Sequence, residues 1–227
     1  MSILETKKIE PATGTTVTLG AAGETVAISA SQLKTNTIKD AGGNTILTSD
    51  GSGTLSSVNS AIGATMNFIS SQTASSSASI SFTTGLDSTY EEYVFFFVNI
   101  HPATNAEFLQ FQSSIDGGSS YGVNLTSTAF SAYHAESGAD GTLTYTTARD
   151  LANSTSYQYL TSGIGADEND QNACGELHLY APSSTTYVKQ FYSTAISYLG
   201  TGAYNWFREG YCNTTSAINA VNFKAQS

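Results

Sequence analysis

The sequence predicts an all-β chain. A C-terminal β-sandwich of jelly-roll type over residues 78–227 follows an N-terminal module of extended β-hairpins over 1–60 and a linker over 61–77. Three observations lead there. Charged residues make up only 11% of the chain, against about a quarter in an average globular protein, and Gly, Ser, Thr and Asn take their place. Exposed helix faces normally carry Glu and Lys, so this composition favours short strands joined by polar turns. Apolar residues alternate at the strand period between turn signals. Finally, Tyr93-Val94-Phe95-Phe96-Phe97-Val98-Asn99-Ile100 is too short to span a membrane and is expected to be a strand buried on both faces, at the centre of the core.

Length and charge bound the function. At 227 residues the chain holds one sizeable domain plus an appendage. Its formal net charge of −10 gives no basic footprint for nucleic acid or an anionic membrane. Residues 1–76 hold four basic and five acidic side chains, whereas 77–227 hold four and thirteen. Phe68 is the only aromatic residue in the first 76, so the large core belongs to the second part. Cys174 and Cys212 are too few for a disulfide framework or a zinc quartet; two buried thiols, or one bridge between strands, are the readings left open. Residues 1–8 lack an apolar stretch behind their charges, and no apolar run reaches the length of a span. This predicts a protein made in a cytoplasm, not inserted in a membrane and not exported by an N-terminal signal.

After a polar leader, Thr16-Val17-Thr18-Leu19 and Glu24-Thr25-Val26-Ala27-Ile28-Ser29 flank a glycine-bounded turn in a hairpin pattern. A looser copy follows, with residues 35–38 and 44–48 on either side of Lys39-Asp40-Ala41-Gly42-Gly43. Each unit offers few Val, Leu or Ile side chains, and an isolated hairpin is marginal in water. The module is therefore expected to associate with copies of itself. Residues 50–60 read as a turn and linker, 61–69 as a short helix or a strand, and the Ser-rich stretch 70–77 as the domain boundary.

Strands then follow at short intervals. Residues 78–82 alternate, and 93–100 stop at His101-Pro102. Residues 107–115 place Leu109, Phe111, Ser113 and Ile115 on one face. Further strands are expected at 123–127, 130–134, 143–147 and 157–162. Residues 175–180 turn Leu177 and Leu179 inward, end at Pro182 and form a hairpin with 187–194. Strands at 205–211 and 217–224 complete the set.

Candidate chemistry is sparse. Gly118-Ser119-Ser120-Tyr121-Gly122 matches the nucleophile-elbow pattern, which needs a helix straight after Ser120. Val123-Asn124-Leu125-Thr126 is poor helix material, so a serine in a glycine-rich turn is expected. His101, His134 and His178 stand in no metal-binding spacing and read as surface or loop residues. Asp167-Glu168-Asn169-Asp170-Gln171-Asn172 alternates oxygen ligands but lacks the glycine and late glutamate of a calcium loop, Asn172 and His178 standing there instead. A solvated loop is expected. Asn124, Asn153 and Asn213 open glycosylation triplets, which are uninformative without a secretory signal. Glu91 with Glu92 gives no glycosidase argument without a distance. Tyr90, Tyr133, Tyr145, Tyr157, Tyr159, Tyr180, Tyr198 and Tyr204 fall near loops or strand ends, where exposed rings stack on sugars or form subunit interfaces. No catalytic, cofactor-binding or metal-ligating residue is assigned, and no cofactor is expected.

Two pairs of segments resemble known proteins. Thr16-Val17-Thr18-Leu19-Gly20-Ala21-Ala22-Gly23-Glu24-Thr25-Val26-Ala27-Ile28-Ser29, with Thr37-Ile38-Lys39-Asp40-Ala41-Gly42-Gly43-Asn44-Thr45-Ile46-Leu47-Thr48-Ser49-Asp50-Gly51-Ser52-Gly53, resembles the N-terminal modules of tail-fibre and other appendage proteins of marine bacteriophages. Ser79-Ile80-Ser81-Phe82-Thr83-Thr84-Gly85-Leu86-Asp87-Ser88-Thr89-Tyr90-Glu91-Glu92-Tyr93, with Gly175-Glu176-Leu177-His178-Leu179-Tyr180-Ala181-Pro182-Ser183-Ser184-Thr185-Thr186-Tyr187-Val188-Lys189, is similar to a globular domain of virion proteins of cyanophages and related phages. The resemblance implies a non-enzymatic virion structural protein, assembled in the host cytoplasm and exposed on the particle. It would be a homotrimeric fibre or spike, attached to other tail or capsid proteins by its N-terminal segment and presenting its sandwich to the host surface, with a host glycan as candidate ligand. Two further roles fit: a capsid decoration protein or head fibre on the capsid lattice, and a carbohydrate-binding module. Members of this group continue past the last strand with a glycine turn and another strand, so a further strand after Ser227 is left open.

Overall fold

The computed structural model describes residues 35–58, 66–161, 163–198, 200 and 202–226, and these are all-β. The first expected hairpin, residues 16–29, and most of the 61–69 stretch lie outside the described residues. The chain divides into two compact units, Met1–Asn67 and Phe68–Ser227.

In the first unit, β1 (Thr37–Lys39), β2 (Thr45–Ser49) and β3 (Leu55–Val58) form an antiparallel sheet in that order. Asp40 closes the β1–β2 turn: its carboxylate accepts the Asn44 N–H at 2.8 Å, and Gly43 takes a φ of +83°. Residues 55–58, expected to be linker, are instead a third strand. Asp50 reverses the chain there, its carboxylate accepting the N–H groups of Ser52 and Thr54. Among the described residues of this sheet none is buried, and Ile38, Leu55 and Val58 are exposed.

The second unit holds β4 (Ser79–Phe82), β5 (Glu92–Ile100), β6 (Gln110–Ser114), β7 (Leu125–Ala135), β8 (Gly141–Tyr145), β9 (Gln158–Tyr159), β10 (Ala173–Tyr180), β11 (Lys189–Tyr198), β12 (Gly202–Cys212) and β13 (Ala220–Lys224). A six-stranded sheet runs β5-β10-β11-β12-β7-β8, a four-stranded one β4-β13-β6-β9, and all pairings are antiparallel. The chain passes back and forth between the two sheets as in a jelly roll. The β10-β11-β12 meander occupies the place of a single strand.

Strand alternation builds the core. Leu177 and Leu179 of β10, Phe191 and Ala195 of β11, and Trp206 of β12 point inward and are buried. They join Phe111 of β6 and Val221 and Phe223 of β13 in one cluster. The Phe111 and Phe191 rings meet edge-on at 5.1 Å, and Phe95 packs on Phe82 and Phe223 at 5.6 and 5.4 Å. Gly175 must be small. A Cβ there would stand 2.4 Å from the Thr194 carbonyl oxygen and 2.6 Å from the Phe97 ring.

Several expectations are corrected. Residues 93–100 are not buried on both faces, because β5 is an edge strand: Tyr93 and Phe97 are buried, but Phe96 is 59% and Val98 67% exposed. Ile115 falls beyond β6 and is exposed, while all five β6 residues are buried. The segments 123–127 and 130–134 merge into the eleven-residue β7, and the strand expected at 157–162 shrinks to β9.

Two cations are fully buried in the sandwich. The Lys189 ammonium donates to the carbonyls of Thr214 at 3.1 Å and Ser216 at 2.7 Å, and burial pushes its pKa down. The Arg208 guanidinium donates to the carbonyls of Tyr159, Phe130 and Phe207 at 2.8–3.1 Å. Burial, aided by the nearby Arg149 charge, lowers its pKa to about 10. Backbone carbonyls thus do the work that a carboxylate would do in an ion pair.

Chemical denaturation should separate the two faces of β5. Phe97→Ala is expected to cost about 3–5 kcal/mol, and Phe96→Ala, one residue away, about 0.5 kcal/mol or less. Arg208→Met, which leaves carbonyls without their donor, should cost about 1–3 kcal/mol.

Candidate binding face

Strand alternation puts a second set of side chains on the outer face of the six-stranded sheet, and the register sorts them into rows. One row reads Phe96, Glu176, Thr194, Phe207, Phe130 and Tyr145 from β5 across to β8. A second reads Val94, His178, Tyr192, Glu209 and Thr128. The third reads Cys174, Ile196, Asn205, Ala132 and Leu143. Ile196 is 60% and Leu143 74% exposed, so this face presents unusual apolar area to water. The Phe130 and Phe207 rings stack at 4.7 Å and 13°.

At one end of the face His178 is held rigidly. Its Nδ1–H donates to the Glu92 carboxylate at 2.5 Å, its Nε2 stands 3.4 Å from Glu176, and its ring stacks on Tyr192 at 4.3 Å. Tyr180 stacks beside Tyr192, and burial with the neighbouring Glu92 charge raises its pKa to about 12. At the other end, residues around His134, Cys174, Ile196 and Tyr198 line a shallow groove of about 420 Å³. Among the described residues, the face carries no Lys or Arg. In the sandwich Lys189 and Arg208 are buried, Arg149 lies over the Phe108 and Tyr159 rings, and Lys224 lies over Tyr157. Glu92, Glu176 and Glu209 make the face acidic. It is suited to neutral or cationic ligands.

The other candidates fall elsewhere. Ser120 sits in a turn organised by Asp116, whose carboxylate accepts the Ser114 hydroxyl at 2.6 Å, the Ser120 hydroxyl at 2.6 Å and the Ser120 N–H at 2.9 Å. No helix follows it, as expected. His101 donates from Nδ1 to the Gln171 carbonyl at 2.6 Å, tying down the acidic loop; Asp167 accepts from Asn105, and its N–H donates to the Gln171 side chain. Among the described residues, no three His, Cys, Asp or Glu side chains are placed to hold a metal ion. Cys174 and Cys212 are both free: one faces outward on β10, and the other is buried against Ser113 with its pKa pushed up to about 11. The three triplet asparagines come together, Asn213 donating to the Asn124 carbonyl at 2.7 Å and to the Asn153 side chain at 2.9 Å.

Sequence reading missed this face. The available signal was apolar residues out of phase with the inward set: Phe96 beside Phe97, Ile196 beside Ala195, and Phe207 beside Trp206. Of the eight tyrosines near strand ends, Tyr145 and Tyr180 are exposed on the face, whereas Tyr133 and Tyr204 stack on each other at 4.4 Å, Tyr204 packing against the core.

The Asp116 turn makes a pH prediction. Hydrogen bonds from the Ser114 and Ser120 hydroxyls lower the Asp116 pKa to about 2 in the folded state, against about 3.9 unfolded. Its stabilising contribution is therefore complete above about pH 4 and is lost as the pH falls toward 2. Asp116→Asn should flatten that stretch of a stability-against-pH curve. No family model, curated protein or solved structure matches this chain.

Proposed function

We propose that the chain is a non-enzymatic structural protein of a phage virion: a fibre or spike subunit, anchored by its N-terminal segment, that presents its jelly roll to the host surface. The observation that carries the binding role is the outer face of the six-stranded sheet. There Phe96, Val98 and Ile196 stand exposed on a paired scaffold, with Tyr180 and Tyr192 nearby. Exposed rings with polar tips suit the apolar faces of sugars, and the three glutamates favour neutral or amine-bearing glycans over anionic ones. Jelly rolls serve in viral and lectin domains, which supports the reading by analogy only. The virion assignment itself rests on the resemblance of residues 16–29 and 37–53 to phage appendage proteins and of 79–93 and 175–189 to a globular domain of phage virion proteins.

The first unit supports an oligomeric anchor. A three-stranded sheet with no buried residue among those described gains most from burying Ile38, Leu55 and Val58 against other copies. Homotrimerisation is the form proposed.

Antibody against the sandwich should label the tail or its tip when intact particles are imaged. Labelling of the head lattice would replace the fibre with a decoration protein. Sedimentation of the purified chain should give a trimer or a multiple of it, and a stable monomer or dimer would refute the anchor. Host polysaccharide should bind without release of sugar, and Phe96→Ala with Tyr180→Ala should weaken that binding by about tenfold or more. Sugar release would overturn the non-enzymatic reading.

A further inference from the structure

The free edge of β8 has a property that the other edges of the sandwich lack. Exposed edge strands invite pairing, and proteins blunt them with short length, bulges, proline, charge or cover. In β5 the register slips opposite Ala173 and Gly175, Asn99 takes a φ of +53°, and Pro102 follows. β9 has only two residues. On β4, the Gln72 side chain donates to the Ser81 carbonyl at 2.6 Å. β8 is Gly141-Thr142-Leu143-Thr144-Tyr145, with no charge, proline or register slip, and all five residues are exposed.

Its hydrogen-bonding phase is defined. The Ala135 N–H donates to the Asp140 carbonyl and the Thr146 N–H to the Ala129 carbonyl, so residues 140, 142, 144 and 146 direct their backbone groups at β7. Gly141, Leu143 and Tyr145 then direct their N–H and C=O groups away from the sheet, where no described residue meets them. This edge is self-complementary. An antiparallel copy about a two-fold axis at Leu143 sets Leu143 opposite Leu143 and Gly141 opposite Tyr145, and each free N–H finds a free carbonyl.

We propose that β8 pairs with β8 of a second copy, joining two six-stranded sheets into one continuous sheet. The occupant follows from the geometry. Both strands are uncharged, so two copies of an acidic chain meet there without like charges in register. The pairing also brings together Leu143 and Tyr145 from each copy on the outer face, covering the two most exposed side chains at that end of its rows. The contact is separate from the proposed N-terminal trimer, which uses other residues and another symmetry.

Cysteine cross-linking of the full chain in a Cys174→Ser background tests it. Opposed residues of a hydrogen-bonded antiparallel pair lie about 5.5 Å apart at Cα, within disulfide reach. Leu143→Cys should give a linked dimer on mild oxidation; Thr142→Cys, whose partner across the axis is Thr144, should not. Leu143→Pro removes only an outward N–H and should lower the sedimenting mass while leaving Tm near the parent's. Thr144→Pro, which breaks the β7 ladder, should lower Tm. Equal cross-linking of the two cysteine variants, or an unchanged mass for Leu143→Pro, would overturn the pairing.

Discussion

The structure of the sandwich depends on one packed layer, the inward rows of β10, β11 and β12 against β6 and β13. Leu177, Leu179, Phe191 and Trp206 meet Phe111, Val221 and Phe223 there, with nearly every side chain withdrawn from water. Because strand side chains alternate strictly, fixing that layer fixes the opposite face too. His178 faces outward because Leu177 and Leu179 face inward. The same logic places Phe96 in water beside the buried Phe97. The binding face is thus a consequence of the core's register.

The core also carries two cations that a purely apolar layer would exclude. Lys189 and Arg208 end among backbone carbonyls of neighbouring loops and strands. Such contacts define where the 214–216 segment and β9 sit, since a misplaced carbonyl would leave a buried charge without a partner. Burying these residues strips the outer sheet of basic charge, leaving Glu92, Glu176 and Glu209 to set its electrostatics. Core construction and surface chemistry are linked through the same side chains.

Much of this was legible in the sequence. Low charge, glycine-rich turns and period-two alternation indicate the all-β class, the β10–β11 hairpin and the inward set of β10. The β1–β2 turn is equally local, because Asp40 and Gly43 supply it within a few residues. Local pattern failed at β3, whose Leu55-Ser56-Ser57-Val58 carries too few apolar residues to signal a strand. It failed at residues 123–135 as well, where polar Ser127, Thr128 and Ser131 interrupt an eleven-residue strand stabilised by pairing with β12.

Residues 93–100 mark the division most clearly. The sequence by itself determined that they form a strand and that it belongs to a large hydrophobic core, because β-branched and aromatic residues in an unbroken run allow little else. Only the tertiary structure decided that the strand lies at an edge, with Phe96 and Val98 in solvent and β10 as its one neighbour. A strand's position in a sheet is set by pairings between residues far apart in the chain, here Phe96 with Glu176, and no local pattern encodes the partner. The same reason left the outer face, the buried Arg208 and the open β8 edge to the fold.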